Sequence, residues 1–127
     1  MTVAILVVDD DAQIARTLAD LLSSEGHAVD TAPDGVIALA KLDVRPFDIV
    51  ITDVRMPRLD GLGLYRELAR RAPTLQHRVI FITGEDLTNE TRRLLDGSGA
   101  PVLNKPFDLA DLVRAVDTVL TRVAGGP

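Results

Sequence analysis

Three short apolar runs constrain this chain more than anything else in it: Ala4-Ile5-Leu6-Val7-Val8, Ile49-Val50-Ile51-Thr52 and Val79-Ile80-Phe81-Ile82. Each is rich in β-branched residues, shows no polar alternation and is bounded by polar or turn residues. A strand with one wet face would alternate. Unbroken runs of this length fit strands buried on both faces, as in a parallel sheet covered by helices. Residues 28–32 and 101–104 are two weaker candidates of the same kind.

Between these runs the spacing turns helical. Ile14, Leu18, Leu21 and Leu22 share a face, with Asp11 placed as N-cap and Gly26 beyond the end. A second helix is predicted over 36–42, opened by Asp34-Gly35. A third follows Asp60-Gly61, carries Leu64, Tyr65, Leu68 and Ala69, and ends before Pro73. A fourth runs from a Thr88 cap over 89–95 and stops at Gly97. Leu109, Leu112, Val113, Val116, Val119 and Leu120 keep i, i+3, i+4 spacing and mark the last. With 127 residues, 46% of them hydrophobic, the expectation is one compact domain over 1–122 and a flexible tail at 123–127. Aromatics make up 3%, so its core must be aliphatic.

Strand and helix thus alternate five times, which predicts an α/β fold with a doubly wound five-stranded parallel sheet. Its common strand order is 2-1-3-4-5, in which the winding reverses between strands 1 and 3, and ligands bind outside the carboxyl ends at that point. Strand 1 is followed by Asp9-Asp10-Asp11 and strand 3 by Asp53. Carboxylates meeting there raise one another's pKa or recruit a cation. With oxygen donors and no Cys or His nearby the cation should be hard, and magnesium suits best. Any one of these aspartates alone would be an ordinary loop residue; their convergence carries the reading. Asp11 reads as a cap rather than a ligand, and His27 and His77 read as surface residues.

Strand 4 ends in Thr83-Gly84 and strand 5 is followed by Lys105-Pro106. The chain has two lysines against twelve arginines, so Lys105 is a compact point charge where Arg is the habitual choice. An acidic metal pair, a carboxylate nucleophile, a hydroxyl and a cation form a set suited to phosphoryl transfer, where positioning and charge neutralisation dominate. Arg55 and Glu85 each follow a site residue by two positions and should rim the pocket, with Met56 beside them.

A net charge of −5, from 14 basic and 19 acidic side chains, argues against direct binding of nucleic acid. The absence of cysteine excludes disulfides, thiolate zinc sites and thiol nucleophiles. The longest apolar run, residues 3–8, is too short for a membrane contact by a spanning helix, and no secretory signal opens the chain, so a cytoplasmic location is expected.

The ordered set Ile5-Leu6-Val7-Val8-Asp9-Asp10, Asp34-Gly35, Asp53-Val54-Arg55-Met56-Pro57, Asp60-Gly61, Thr83-Gly84 and Lys105-Pro106-Phe107 resembles the response-regulator receiver (CheY-like) family of two-component signalling. The resemblance covers nearly the whole chain. It implies the flavodoxin-like (βα)5 fold, with Asp53 as phosphoacceptor for a phosphoryl group from a histidine kinase or histidine phosphotransfer domain. Asp10 would be the direct Mg2+ ligand, Asp9 would act mostly through water, and the backbone carbonyl of Arg55 would complete the protein's share; Mn2+ should be able to substitute. Thr83, Gly84 and Lys105 would contact the phosphoryl group, the Lys105-Pro106 bond would be cis, and the face of the fourth helix, fifth strand and fifth helix would be read by a partner or output. Chemistry would be limited to Mg2+-dependent self-phosphorylation and autodephosphorylation. Stretches around Ile82-Thr83-Gly84-Glu85, Glu90-Thr91-Arg92 and Gly99-Ala100-Pro101-Val102 also look like receivers fused to hybrid sensor histidine kinases, with a fused kinase or output domain beyond this sequence. One departure stands out: Val102 occupies the position where the family usually has the switch aromatic.

Three other readings compete. A haloacid-dehalogenase-type phosphatase also uses an aspartate nucleophile with magnesium, but this chain has no obvious cap insertion. A flavodoxin-like binding module would want Ser, Thr and Gly after strand 1, where three aspartates would repel a flavin phosphate. A phosphorylation-independent interaction domain has no need of the intact acidic set.

Overall fold

The computed structural model describes residues 3–84 and 87–121. Five strands, β1 (Ala4–Val8), β2 (Ala28–Ala32), β3 (Ile49–Asp53), β4 (Val79–Thr83) and β5 (Val102–Asn104), form one parallel sheet in the order β2-β1-β3-β4-β5. The helices are α1 (Ala12–Ser24), α2 (Gly35–Val44), α3 (Gly61–Arg71), a single turn α4 (Pro73–Gln76), α5 (Asn89–Ser98) and α6 (Leu109–Leu120). The fourth and last helices expected from sequence are therefore α5 and α6. This is the doubly wound five-stranded parallel sheet anticipated above.

The unbroken apolar runs are explained by the two cores. Ile5, Val7, Ile49, Ile51, Ile80 and Ile82 point to one face and meet Leu18 and Leu22 of α1 and Leu112, Val116 and Val119 of α6. Leu6, Val8, Val50, Val79 and Phe81 point to the other, against Leu39 of α2, Leu64 and Leu68 of α3 and Leu95 of α5. Successive side chains take opposite faces, so every strand position must be apolar when both faces are covered. Each such side chain, fully buried, is worth roughly 1.5–3 kcal/mol.

Several boundaries differ from expectation. Asp53 is the last residue of β3 rather than following it, and β4 ends at Thr83 with Gly84 beyond it. The α2 helix runs on to Val44 and stops at Arg45, whose extended backbone (φ −152°, ψ 157°) is what a residue before proline adopts. Pro73 both follows α3 and opens α4, since its fixed φ suits a first helical turn. Gly97 lies inside α5, and the helix closes one turn-half later at Gly99, whose φ is 71°. Ala69 is exposed on α3. His27 is half-buried rather than a plain surface residue, and its Nδ1 accepts the amide of Val3 at 3.3 Å. His77 is exposed. The tail expected at 123–127 lies outside the described residues.

The sheet has two edges. On β2, Asp30 pairs with Lys41 and Arg45 of α2 and its following loop, both at 3.0 Å. The other edge, β5, is three residues long and is followed by the cis Lys105–Pro106 bond.

Candidate functional site

Because β1 and β3 are neighbours in parallel register, with Val8 beside Thr52, their carboxyl ends deliver Asp9 and Asp53 to the same place. Asp9, Asp10 and Asp53 each bring a carboxylate oxygen within 4.8 Å of the others. Asp9 and Asp53 are buried at 2% and 9% exposure, while Asp10 faces solvent. Asp9 Oδ1 accepts the amide of Asp11 at 2.9 Å. Its Oδ2 is buried without a hydrogen-bond partner, with Lys105 Nζ 3.8 Å away. Burial above all, with the neighbouring Asp53 charge adding to it, pushes the Asp9 carboxyl up to about 6 despite the Asp11 amide.

That orphaned oxygen is the observation that tests the fit of a metal. An unpaired buried carboxylate oxygen is costly, and a water held by a divalent ion among the three carboxylates would satisfy it. The donor set is all oxygen, which suits a hard cation. Asp11 stays outside the cluster: it caps α1, accepting the amides of Gln13 and Ile14 at 3.0 and 3.2 Å.

Around Asp53 the other elements close in. Its Oδ1 accepts the Arg55 amide at 3.4 Å, and its Oδ2 lies 3.5 Å from Lys105 Nζ. Lys105 is brought there by the sheet, since its own amide donates to the Thr83 carbonyl at 2.9 Å. Thr83 is 2% exposed, and its hydroxyl donates to the Gly84 carbonyl at 3.0 Å, so it also serves the turn. Gly84 is exposed, with open space where a side chain would stand. Arg55 is exposed and Met56 half-buried, and with Asp10, Pro57 and Asp60 they line an open depression of about 370 Å³. A second cleft of about 280 Å³ runs from Asp9 and Asp10 along α1 to Pro33. Glu85, expected on the rim, lies outside the described residues.

Val102 is partly buried beside Phe81, on the face covered by α3 and α5. The aromatic ring next to Phe81 belongs to α3: Tyr65 lies 5.6 Å away, tilted by 55°. Its hydroxyl donates to the Ser98 carbonyl at 3.2 Å, which ties α3 to the end of α5.

Two residues at this edge were not singled out by sequence as site residues. Asp34 caps α2 through the Ile37 amide at 2.9 Å, and Arg58 donates to its other oxygen from Nε and Nη2, at 3.0 and 2.7 Å. The sequence marked Asp34-Gly35 as a turn pair and as part of the family resemblance; nothing marked Arg58.

The model of the response regulator receiver domain matches residues 5–117. The response regulator MprA of Mycobacterium sp. (strain KMS) is 38% identical over 124 residues, covering 98% of this chain and 53% of that protein. MprA of Mycobacterium tuberculosis (strain ATCC 25177 / H37Ra) is 38% identical over 122 residues, covering 96% and 52%. The chain thus spans about half the length of these relatives. Among solved structures, a response regulator receiver domain protein from Clostridium thermocellum superposes with a TM-score of 0.83 at 30% identity, over 94% of this chain and 95% of that one. The Vibrio cholerae chemotaxis protein CheY4 gives 0.79 at 28% identity, over 94% and 99%. The strand order, the acidic edge and these matches agree: the chain belongs to the response regulator receiver domain family of two-component systems.

Proposed function

We propose that this domain accepts a phosphoryl group on Asp53 with Mg2+ held beside it. The observation that supports this best is the meeting of a buried carboxylate, two further carboxylates and a lysine at one sheet edge. An Asp53 oxygen attacks the phosphorus of a phosphohistidine, the P–N bond breaks, and the imidazole leaves with the bonding pair and takes up a proton. Asp10 and Asp53 would hold the ion directly and Asp9 through water, with the Arg55 carbonyl completing the set. Bound there, Mg2+ neutralises charge that gathers on the equatorial oxygens. Lys105 neutralises a second oxygen, and the Thr83 hydroxyl turns from the Gly84 carbonyl to donate to a third. The Gly84 backbone would contact the acyl phosphate. Mn2+ satisfies the same oxygen set.

The reading extends to the chain's surroundings. The phosphodonor is a histidine kinase or histidine phosphotransfer domain, and the α5–β5–α6 face carries the signal to a fused or separate output. The receiver spans 1–122, its partners are proteins rather than nucleic acid, and it works in the cytoplasm. Among the described residues, no helix is long and apolar enough to cross a membrane. Incubation with acetyl phosphate and Mg2+ should add one phosphoryl mass to the intact protein. Asp53→Asn should remain unmodified; equal modification of that variant refutes the assignment.

A further inference from the structure

Arg58 is the non-glycine residue at positive φ among the described residues, at 69°. An L side chain is strained there. The amide of Leu59 donates across it to the Pro57 carbonyl at 2.9 Å, closing a three-residue turn. With positive φ at its centre, that is the rare and strained form of the γ-turn. Glycine would adopt it freely, so the arginine side chain must offset what its backbone costs.

The side chain does so through Asp34. Two guanidinium nitrogens, at 3.0 and 2.7 Å, converge on one carboxylate oxygen of a side chain that is 8% exposed. The same two loops are joined again next door, where the Gly35 amide donates to the Leu59 carbonyl at 3.1 Å. A Cβ at Gly35 would lie 2.6 Å from that carbonyl oxygen, so the start of α2 is seated against the loop with no slack. The far end of the loop is pinned as tightly, with Gly61 donating to Val54 at 3.0 Å. Between these anchors stand Arg55 and Met56, facing Asp10 across the depression.

We propose that Arg58 is a positioning residue for the cation site. Its ion pair with Asp34 holds the 54–60 loop in the strained turn, and that turn keeps the Arg55 carbonyl in reach of the ion. The inference rests on the metal site proposed above. The start of α2, which contributes no ligand, becomes the outer support of that site. A side chain serving stability alone would sit as well in an unstrained turn.

Magnesium titration of the metal-free protein by calorimetry tests this, alongside thermal unfolding without metal. Arg58→Gly relieves the backbone strain while removing the pair, so it should unfold near the parent's temperature. Its Mg2+ affinity should nevertheless fall about tenfold, the scale on which losing an orienting partner weakens a metal site. Asp34→Asn, which keeps an acceptor for the Ile37 amide, should weaken binding in the same direction, and Arg58→Lys should restore part of the loss. If the parent binds through Asp10 but Arg58→Gly and Asp34→Asn bind as tightly as it does, the clamp is refuted and the site stands. A parent that binds no Mg2+, or whose binding survives Asp10→Ala, overturns the cation site and this proposal with it.

Discussion

Asp9 and Asp34 stand on the same edge of the sheet under opposite fields. The Ile37 amide first and the Arg58 guanidinium after it hold the Asp34 carboxyl below its ordinary range, while burial raises Asp9 to about 6. The folded protein therefore binds the Asp9 proton more tightly than the unfolded chain does. Without metal, this group's contribution to stability is full below its ordinary value of 3.8 and is lost as pH rises to about 6. In chelator, the stability of Asp9→Asn relative to the parent should thus grow between about pH 4 and about pH 7. Denaturant unfolding measures it, and a difference constant with pH would refute it. Saturating Mg2+ should shrink the effect, because the ion favours the ionised carboxylate. Asp9, Asp10 and Asp53 were legible because each ends or follows a strand whose residues announce it. Arg58 was not legible: its left-handed backbone is held by a partner 24 residues away, and arginine carries no local signal for that conformation. His27 was misread for the same kind of reason, its partner being the distant Val3 amide.

Two helices at the functional edge begin with the same pair, Asp34-Gly35 and Asp60-Gly61. In each the aspartate caps the helix and the glycine admits a neighbouring backbone. At Gly61 a Cβ would stand 2.3 Å from the carbonyl oxygen of Asp53. Gly61→Ala should therefore destabilise the fold by about 1–3 kcal/mol and slow phosphorylation of Asp53. Normal stability together with a normal rate would contradict the packing described. Gly97 is the opposite case, helical and with nothing near its missing Cβ. Gly97→Ala should stabilise by about 0.5–1 kcal/mol and slow amide exchange in α5, whereas a lower melting temperature would count against it. The sequence pointed to Gly97 as the end of α5, but the helix runs through it and closes at Gly99, since only the folded turn shows which glycine takes positive φ. The turn α4 has four residues, too few to display a period, so Pro73 was legible as a stop but not as a start. The long periodic helices α1 and α6 and the three apolar strands carried their identity openly.

Across the whole molecule, every residue of the proposed site comes from the carboxyl ends of the strands, while α5 is held by the buried Leu95 and by the Tyr65–Ser98 hydrogen bond to α3. Leu94 of the same helix is exposed. Val102 is β-branched, stiff at χ1 and too short to swing between a buried and an exposed position. A signal leaving Thr83 should then travel by backbone shifts of the following loop and of α5, a weakly held element. Hydrogen exchange with beryllofluoride and Mg2+ should change protection throughout α5. Changes confined to the pocket would instead make the domain a phosphoryl sink. The edges of the sheet have a consequence of another kind. An unpaired edge strand is a template on which a foreign chain can add itself, the first step of many aggregates. Here β2 carries an aspartate held by two cations, and β5 offers three residues before the chain turns away at Pro106. Accretion strand upon strand is thereby discouraged, and what the domain presents for recognition is the outer surface of its helices and the loops above its acidic edge.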